Sequence, residues 1–120
     1  MKILLIDDDV FLRDMYATKF TESGDTVVGA QNGTQALSLL GSDTFDVILM
    51  DMVMPGMNGI ELLKSIKTID SAKDSKCIVL SNQGEESDIT AAKEQGAIGY
   101  IIKAESIPSE VVLKVHELVS

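Results

Sequence analysis

With one cysteine, one histidine, two prolines and no tryptophan among 120 residues, this sequence closes several explanations before any is opened. The lone Cys77 permits no internal disulfide. Its place in an apolar run marks it as a small buried hydrophobe rather than a reactive thiol. His116 has no second histidine to join it, so it reads as a surface or half-buried residue of the last helix, not a phosphorylated or metal-binding one. No apolar stretch is long enough to cross a bilayer, which argues against a membrane partner. The opening run ends in three aspartates without a cleavage region, so it is not a secretion signal, and a cytoplasmic protein is expected. A glycine-rich nucleotide loop is also missing, so ATP is not an expected ligand. Basic residues are scarce, 10 against 19 acidic ones for a net charge of −9. Nucleic acid is therefore not expected as a direct partner, because phosphate contacts need clustered Lys and Arg.

What remains is an ordinary globular balance, 45% apolar and 24% charged, in a length that suits one domain spanning residues 1–120. No linker, repeat or low-complexity tract divides it. Short apolar runs at 3–6, 26–30, 47–50, 77–80 and 100–102 alternate with helix-patterned segments. Most of these runs are apolar on both faces, as parallel strands covered by helices require. Leu12, Met15, Tyr16 and Phe20 form one helical stripe, and Ala36, Leu37, Leu39 and Leu40 a second. Asn58 with Glu61 resembles a capping box ahead of Leu62, Leu63 and Ile66. A fourth helix is predicted from about 85 to 95, ahead of Gly96. A fifth starts at Pro108, with Val111, Val112, Val115 and Leu118 as its buried stripe. The alternation predicts a doubly wound (βα)5 sheet with right-handed crossovers. Strand order 2-1-3-4-5 is the common arrangement for such a sheet, although the pattern alone does not fix it.

Ligands of such sheets bind outside the carboxyl ends of the strands, so the residues that directly follow each strand carry the chemistry. Asp7, Asp8 and Asp9 follow the first strand, Asp51 the third, Ser81 and Asn82 the fourth, and Lys103 the fifth. In the order 2-1-3-4-5 the aspartates converge, flanked by Ser81 and Lys103. Two like charges about 4 Å apart repel by roughly 4 kcal/mol at an effective dielectric of 20. A hard divalent cation with oxygen ligands, Mg2+, reverses that cost and meets phosphate. Lys103 and the Ser81 hydroxyl could then hold the oxygens of a transferring phosphoryl group, with Asp51 as a nucleophile that forms an acyl phosphate. Asp9 or Asp8 is expected to cap the first helix.

Four spaced segments carry a family resemblance. Leu5-Ile6-Asp7-Asp8-Asp9, Asp51 followed by Met54-Pro55-Gly56-Met57-Asn58-Gly59, then Leu80-Ser81, and Gly99-Tyr100-Ile101-Ile102-Lys103 together resemble response-regulator receiver domains of CheY-like two-component signalling, in order along the whole chain. The resemblance implies a flavodoxin-like three-layer fold and a phosphoacceptor switch that assists its own phosphorylation and dephosphorylation, rather than an enzyme. A histidine kinase or histidine phosphotransfer protein would phosphorylate Asp51. Asp7, Asp8, Asp51 and the main-chain carbonyl of Val53 would hold Mg2+, and Lys103 would pair with the phosphoryl group. Ser81 and Tyr100 would move as the switch. They would remodel the face of the fourth helix, fifth strand and fifth helix for a downstream protein or a second copy of the chain.

Some positions depart from the family pattern. Ala104 stands where proline, often cis, is usual, so a trans bond is expected there. Asn82 replaces a small residue and is expected to restrict phosphodonor access or Tyr100 movement. Val53 and Gln83 occupy positions that influence dephosphorylation in the family. Asn58 replaces an aspartate that would cap equally well. Two rival readings stand beside the switch. One is a receiver-like binding module that is never phosphorylated. The other is a Mg2+-dependent aspartate-nucleophile phosphatase of the haloacid-dehalogenase kind, against which Phe11, the chain length, the Asp51 loop and Lys103 argue. Met50, Met52, Met54 and Met57 are expected to pack around a strand end.

Overall fold

Strands whose successive side chains point to opposite faces, and are apolar on both, can be satisfied only between two helical layers. The computed structural model describes residues 1–120 and has that arrangement. Strands Lys2–Ile6 (β1), Thr26–Ala30 (β2), Val47–Met50 (β3), Lys76–Ser81 (β4) and Ala97–Ile102 (β5) alternate with five α-helices. The helices are Val10–Glu22 (α1), Gly33–Leu40 (α2), Gly59–Ile66 (α3), Glu86–Glu94 (α4) and Pro108–Val119 (α5). All neighbouring strands pair in parallel, in the order β2-β1-β3-β4-β5.

The strand alternation divides the core in two. Leu4, Ile6, Ile48, Met50 and Val79 face a layer built from α2, α3 and α4, where Leu40, Leu62, Leu63 and Ala92 meet them. Ile3, Leu5, Leu49, Ile78 and Leu80 face the other way, onto Tyr16 and Phe20 of α1 and Val111 and Val115 of α5. Met50, Met52 and Met54 belong to the first of these cores, with Met57 packed against it, as expected of strand-end packing. No helix is long and apolar enough to cross a membrane.

Three local expectations shift. Strand β5 begins at Ala97 rather than at residue 100. Met15 lies outside the α1 stripe, which Tyr16 and Phe20 bury with Leu12 and Ala17 packed alongside. Leu118 is 40% exposed and does not join the buried stripe of α5. The third shift has a local cause. A Cβ built on Gly99 would lie 2.5 Å from Leu118 Cδ1, so β5 accepts the leucine at its surface only because residue 99 has no side chain.

Candidate functional site

Register brings the charged residues together. Ile6 pairs with Met50, so Asp7 and Asp51 leave adjacent strands side by side. Ser81 pairs with Ile102, which sets Lys103 one step beyond. The turn after β1 is fixed locally. The Asp9 side chain accepts from the Leu12 N–H at 3.1 Å and caps α1, which settles the choice between Asp8 and Asp9. The Arg13 guanidinium donates to the Asp7 carbonyl at 2.7 Å. Beyond Asp51, the Gly59 N–H donates to the Met52 carbonyl at 2.9 Å, tying the start of α3 to the residue next to Asp51.

The Asp51 carboxylate is engaged on both oxygens. Its Oδ1 accepts from the Ser81 hydroxyl at 2.7 Å and from the Val53 N–H at 3.2 Å. Its Oδ2 accepts from Lys103 Nζ at 2.8 Å. The same ammonium donates to Asp7 Oδ2 at 2.7 Å, while Asp7 Oδ1 accepts from the Asp9 N–H. These side chains are nearly closed to solvent, with Lys103 7%, Asp7 3% and Asp51 11% exposed. Burial alone would lower the Lys103 pKa. Hydrogen bonds to Asp51 and Asp7, with their negative charges, outweigh it and hold the pKa above the ordinary lysine value.

Charge balance bears on a metal. Carboxylate oxygens of Asp7, Asp8 and Asp51 all lie within 4.8 Å of one another, with Asp8 the exposed member. One ammonium against three carboxylates leaves two negative charges, the amount that a divalent cation cancels. An oxygen-only donor set with one open, exposed carboxylate fits Mg2+, which retains waters, better than a thiolate- or imidazole-seeking metal. Val53 is 57% exposed, and its backbone already touches the Asp51 carboxylate.

Tyr100 lies half-buried, and its hydroxyl donates to the Gln83 carbonyl in the loop after Ser81. Burial, then the charges of Asp88 and Asp51, push its phenol up to about 12. Asn82 does something its residue type did not suggest. Its Oδ1 accepts from the Ala104 N–H at 2.8 Å, joining the loop after β4 to the loop after β5. The peptide leading into Ala104 is trans, as expected. The Arg13 and Asn82 contacts are the features of the site that sequence reasoning missed. A strongly polar residue beside Ser81, facing a non-proline after Lys103, was the available signal for the second.

Comparison with known proteins agrees with the fold. The family model described as the response regulator receiver domain matches residues 3–115. Sporulation initiation phosphotransferase F of Bacillus subtilis is 37% identical over 102 residues, 85% of this chain and 81% of its own. The nitrate/nitrite response regulator protein NarL of Escherichia coli is 37% identical over 117 residues, 96% of this chain but 53% of its own length, so the chain spans about half of that relative. Among solved structures, the chemotaxis response regulator CheY4 of Vibrio cholerae superposes with a TM-score of 0.89 at 29% identity, covering 99% of this chain and 98% of that one.

Proposed function

The chain belongs to the response regulator receiver family, with its flavodoxin-like fold, and on that premise we propose that Asp51 is the phosphoacceptor of a two-component phosphorelay. The donor is the phosphoimidazole of a histidine kinase or a histidine phosphotransfer protein. An Asp51 carboxylate oxygen attacks phosphorus, the bond from phosphorus to the imidazole nitrogen breaks, and the electron pair leaves with the imidazole. The product is an acyl phosphate. Lys103 passes from its carboxylate partners to one phosphoryl oxygen, and the Ser81 hydroxyl donates to another. Mg2+ bound by Asp7, Asp8, Asp51 and the Val53 carbonyl would neutralise the carboxylates and bind phosphoryl oxygen as charge builds there.

One observation carries this reading. The Lys103 ammonium and the Ser81 hydroxyl occupy the two sides of a single buried carboxylate, where the oxygens of a phosphoryl group on Asp51 would come to lie. Residues 1–120 then act as one switch domain, in the cytoplasm, without direct contact to nucleic acid. Output passes through the face of α4, β5 and α5, because Tyr100 links the loop after Ser81 to β5. Lys93, Ile98, Lys114 and Leu118 line a groove on that face, open to a downstream protein or a second copy of the chain. In physical terms phosphorylation biases a two-state element, and the partner reads the population.

Intact mass after incubation with acetyl phosphate tests the proposal, with and without Mg2+, beside an Asp51→Asn variant. The expected result is a Mg2+-dependent, alkali-labile gain of one phosphoryl group that the variant lacks. No gain from acetyl phosphate or from a phosphorylated histidine phosphotransfer protein would overturn it and leave a phosphorylation-independent binding module.

A further inference from the structure

Two loops meet at the site, one directly following and the other beginning with a residue whose side chain contacts Asp51. The loop after β4 follows Ser81, and the loop after β5 begins with Lys103. Three contacts bind the first loop to the fifth strand and its continuation. Asn82 Oδ1 accepts from the Ala104 N–H at 2.8 Å, and the Gln83 carbonyl accepts from the Tyr100 hydroxyl. Gly84 lies so close over Ile102 that a Cβ there would come 2.0 Å from Ile102 Cδ1. Lys103 thus sits between two residues, Ile102 and Ala104, that are both held by the loop following Ser81.

The Asn82 contact depends on two residues at once. Proline has no N–H, so a proline at 104 would leave Asn82 without this partner, and a small apolar residue at 82 would leave the Ala104 N–H without its acceptor. An asparagine at 82 and a non-proline at 104 therefore form one device.

We infer that Asn82 is a positioning residue that, through its bond to the Ala104 N–H, makes Ser81 and Lys103 move as a unit. Ser81 is one residue before the acceptor and Lys103 one residue before the donor, so the bond extends the β4–β5 pairing of Ser81 with Ile102 past the end of the sheet and joins the residues that directly follow Ser81 and Lys103. Donors held in place before the reaction lose no orientational freedom as charge develops on the phosphoryl oxygens. The bond is exposed, and its contribution to global stability is correspondingly small. Its effect falls on phosphoryl transfer. A purely steric role, in which the asparagine obstructs the phosphodonor, has the opposite sign.

This inference rests on the phosphoacceptor reading, and its test separates the two. Wild type, Asn82→Ala, Asn82→Leu, Ala104→Pro and the Asn82→Ala/Ala104→Pro double variant are compared by rate of Mg2+-dependent phosphorylation from acetyl phosphate. Amide hydrogen exchange at Ala104 is followed in the chains that retain it, and matched circular dichroism and melting curves control for folding. The expected result is a rate about fivefold lower in each single variant, a typical loss for one net hydrogen bond, and no further loss in the double variant. Protection of the Ala104 amide is lost in both Asn82→Ala and Asn82→Leu. A faster Asn82→Ala with an unchanged Asn82→Leu would establish steric gating and overturn the inference, as would additive losses in the double variant. Unaltered Ala104 exchange in both Asn82 variants would also overturn it. If wild type accepts no phosphoryl group, the phosphoacceptor reading fails, and the exchange measurement alone decides whether the bond exists.

Discussion

At the scale of the residue, Cys77 shows how burial decides reactivity. Its side chain lies within β4 on the α3 and α4 side of the sheet, and burial pushes the thiol up to about 11. The thiolate is the nucleophile, so raising the value from 9.0 to about 11 removes roughly 99% of the reactive form at pH 8. Iodoacetamide is expected to label the native chain at least about a hundredfold more slowly than the chain unfolded in urea, as followed by mass. Comparable rates would place the thiol at the surface. The native state keeps its proton where the unfolded state loses it, so this group's share of stability is intact below pH 9 and falls away as pH rises towards 11. The buried thiol was legible in the sequence because an apolar run surrounds it. Asp7, Asp51, Ser81 and Lys103 were legible for a different reason, since each directly follows a strand and the sheet edge is where such residues converge. The Arg13 and Asn82 bonds were not, because both reach main-chain groups of turns whose course no local pattern specifies.

At the scale of the element, the start of α3 couples helix stability to the site. Asn58 Oδ1 accepts from the Glu61 N–H at 2.9 Å, and Glu61 Oε1 accepts from the Asn58 N–H at 3.1 Å, a complete capping box. The next residue, Gly59, donates to Met52. Asn58→Ala is expected to cost about 1 kcal/mol, read as a lower urea midpoint at unchanged slope, whereas Asn58→Asp retains the acceptor and stays near wild type. A loss in Asn58→Asp equal to that in Asn58→Ala would show that the cap is not the cause. The spacing from Asn58 to Glu61 revealed this helix start in advance, because capping is chemistry between near neighbours. The start of β5 was hidden for the converse reason. Ala97 and Gly99 have little intrinsic strand preference, and the strand forms there because β4 pairs with it. Leu118 followed the same logic. Helical periodicity assigned it to the core, and a glycine on a neighbouring strand let it pack at the edge instead.

At the scale of the whole molecule, the site exists only when the sheet is complete. Lys103 and Asp7 are 96 residues apart in sequence, and their bond forms after β5 has joined β4 at the far side of β3. The alternation of strands and helices was legible as a (βα)5 pattern, whereas the strand order entered through the common arrangement and the family resemblance. Register then converted that order into a cluster of carboxylates in a chain already at net charge −9. Two kinds of repulsion oppose folding here, and they respond differently to salt. General repulsion is screened by any electrolyte, because exposed charges more than about 10 Å apart scarcely interact at 0.1 M ionic strength. The local repulsion of Asp7, Asp8 and Asp51 would instead be relieved by an ion binding between them. A ligand that binds only the native state at a hundredfold above its dissociation constant stabilises it by about 2.7 kcal/mol. MgCl2 is therefore expected to raise the melting temperature several degrees beyond NaCl at equal ionic strength. Asp8→Asn removes one carboxylate from the exposed side of the cluster without disturbing the Lys103 bonds, and it should lose most of the Mg2+-specific rise while keeping the response to NaCl. Equal responses of wild type to the two salts would mean that the cluster binds no Mg2+ and that Lys103 is the only cation offsetting part of its charge.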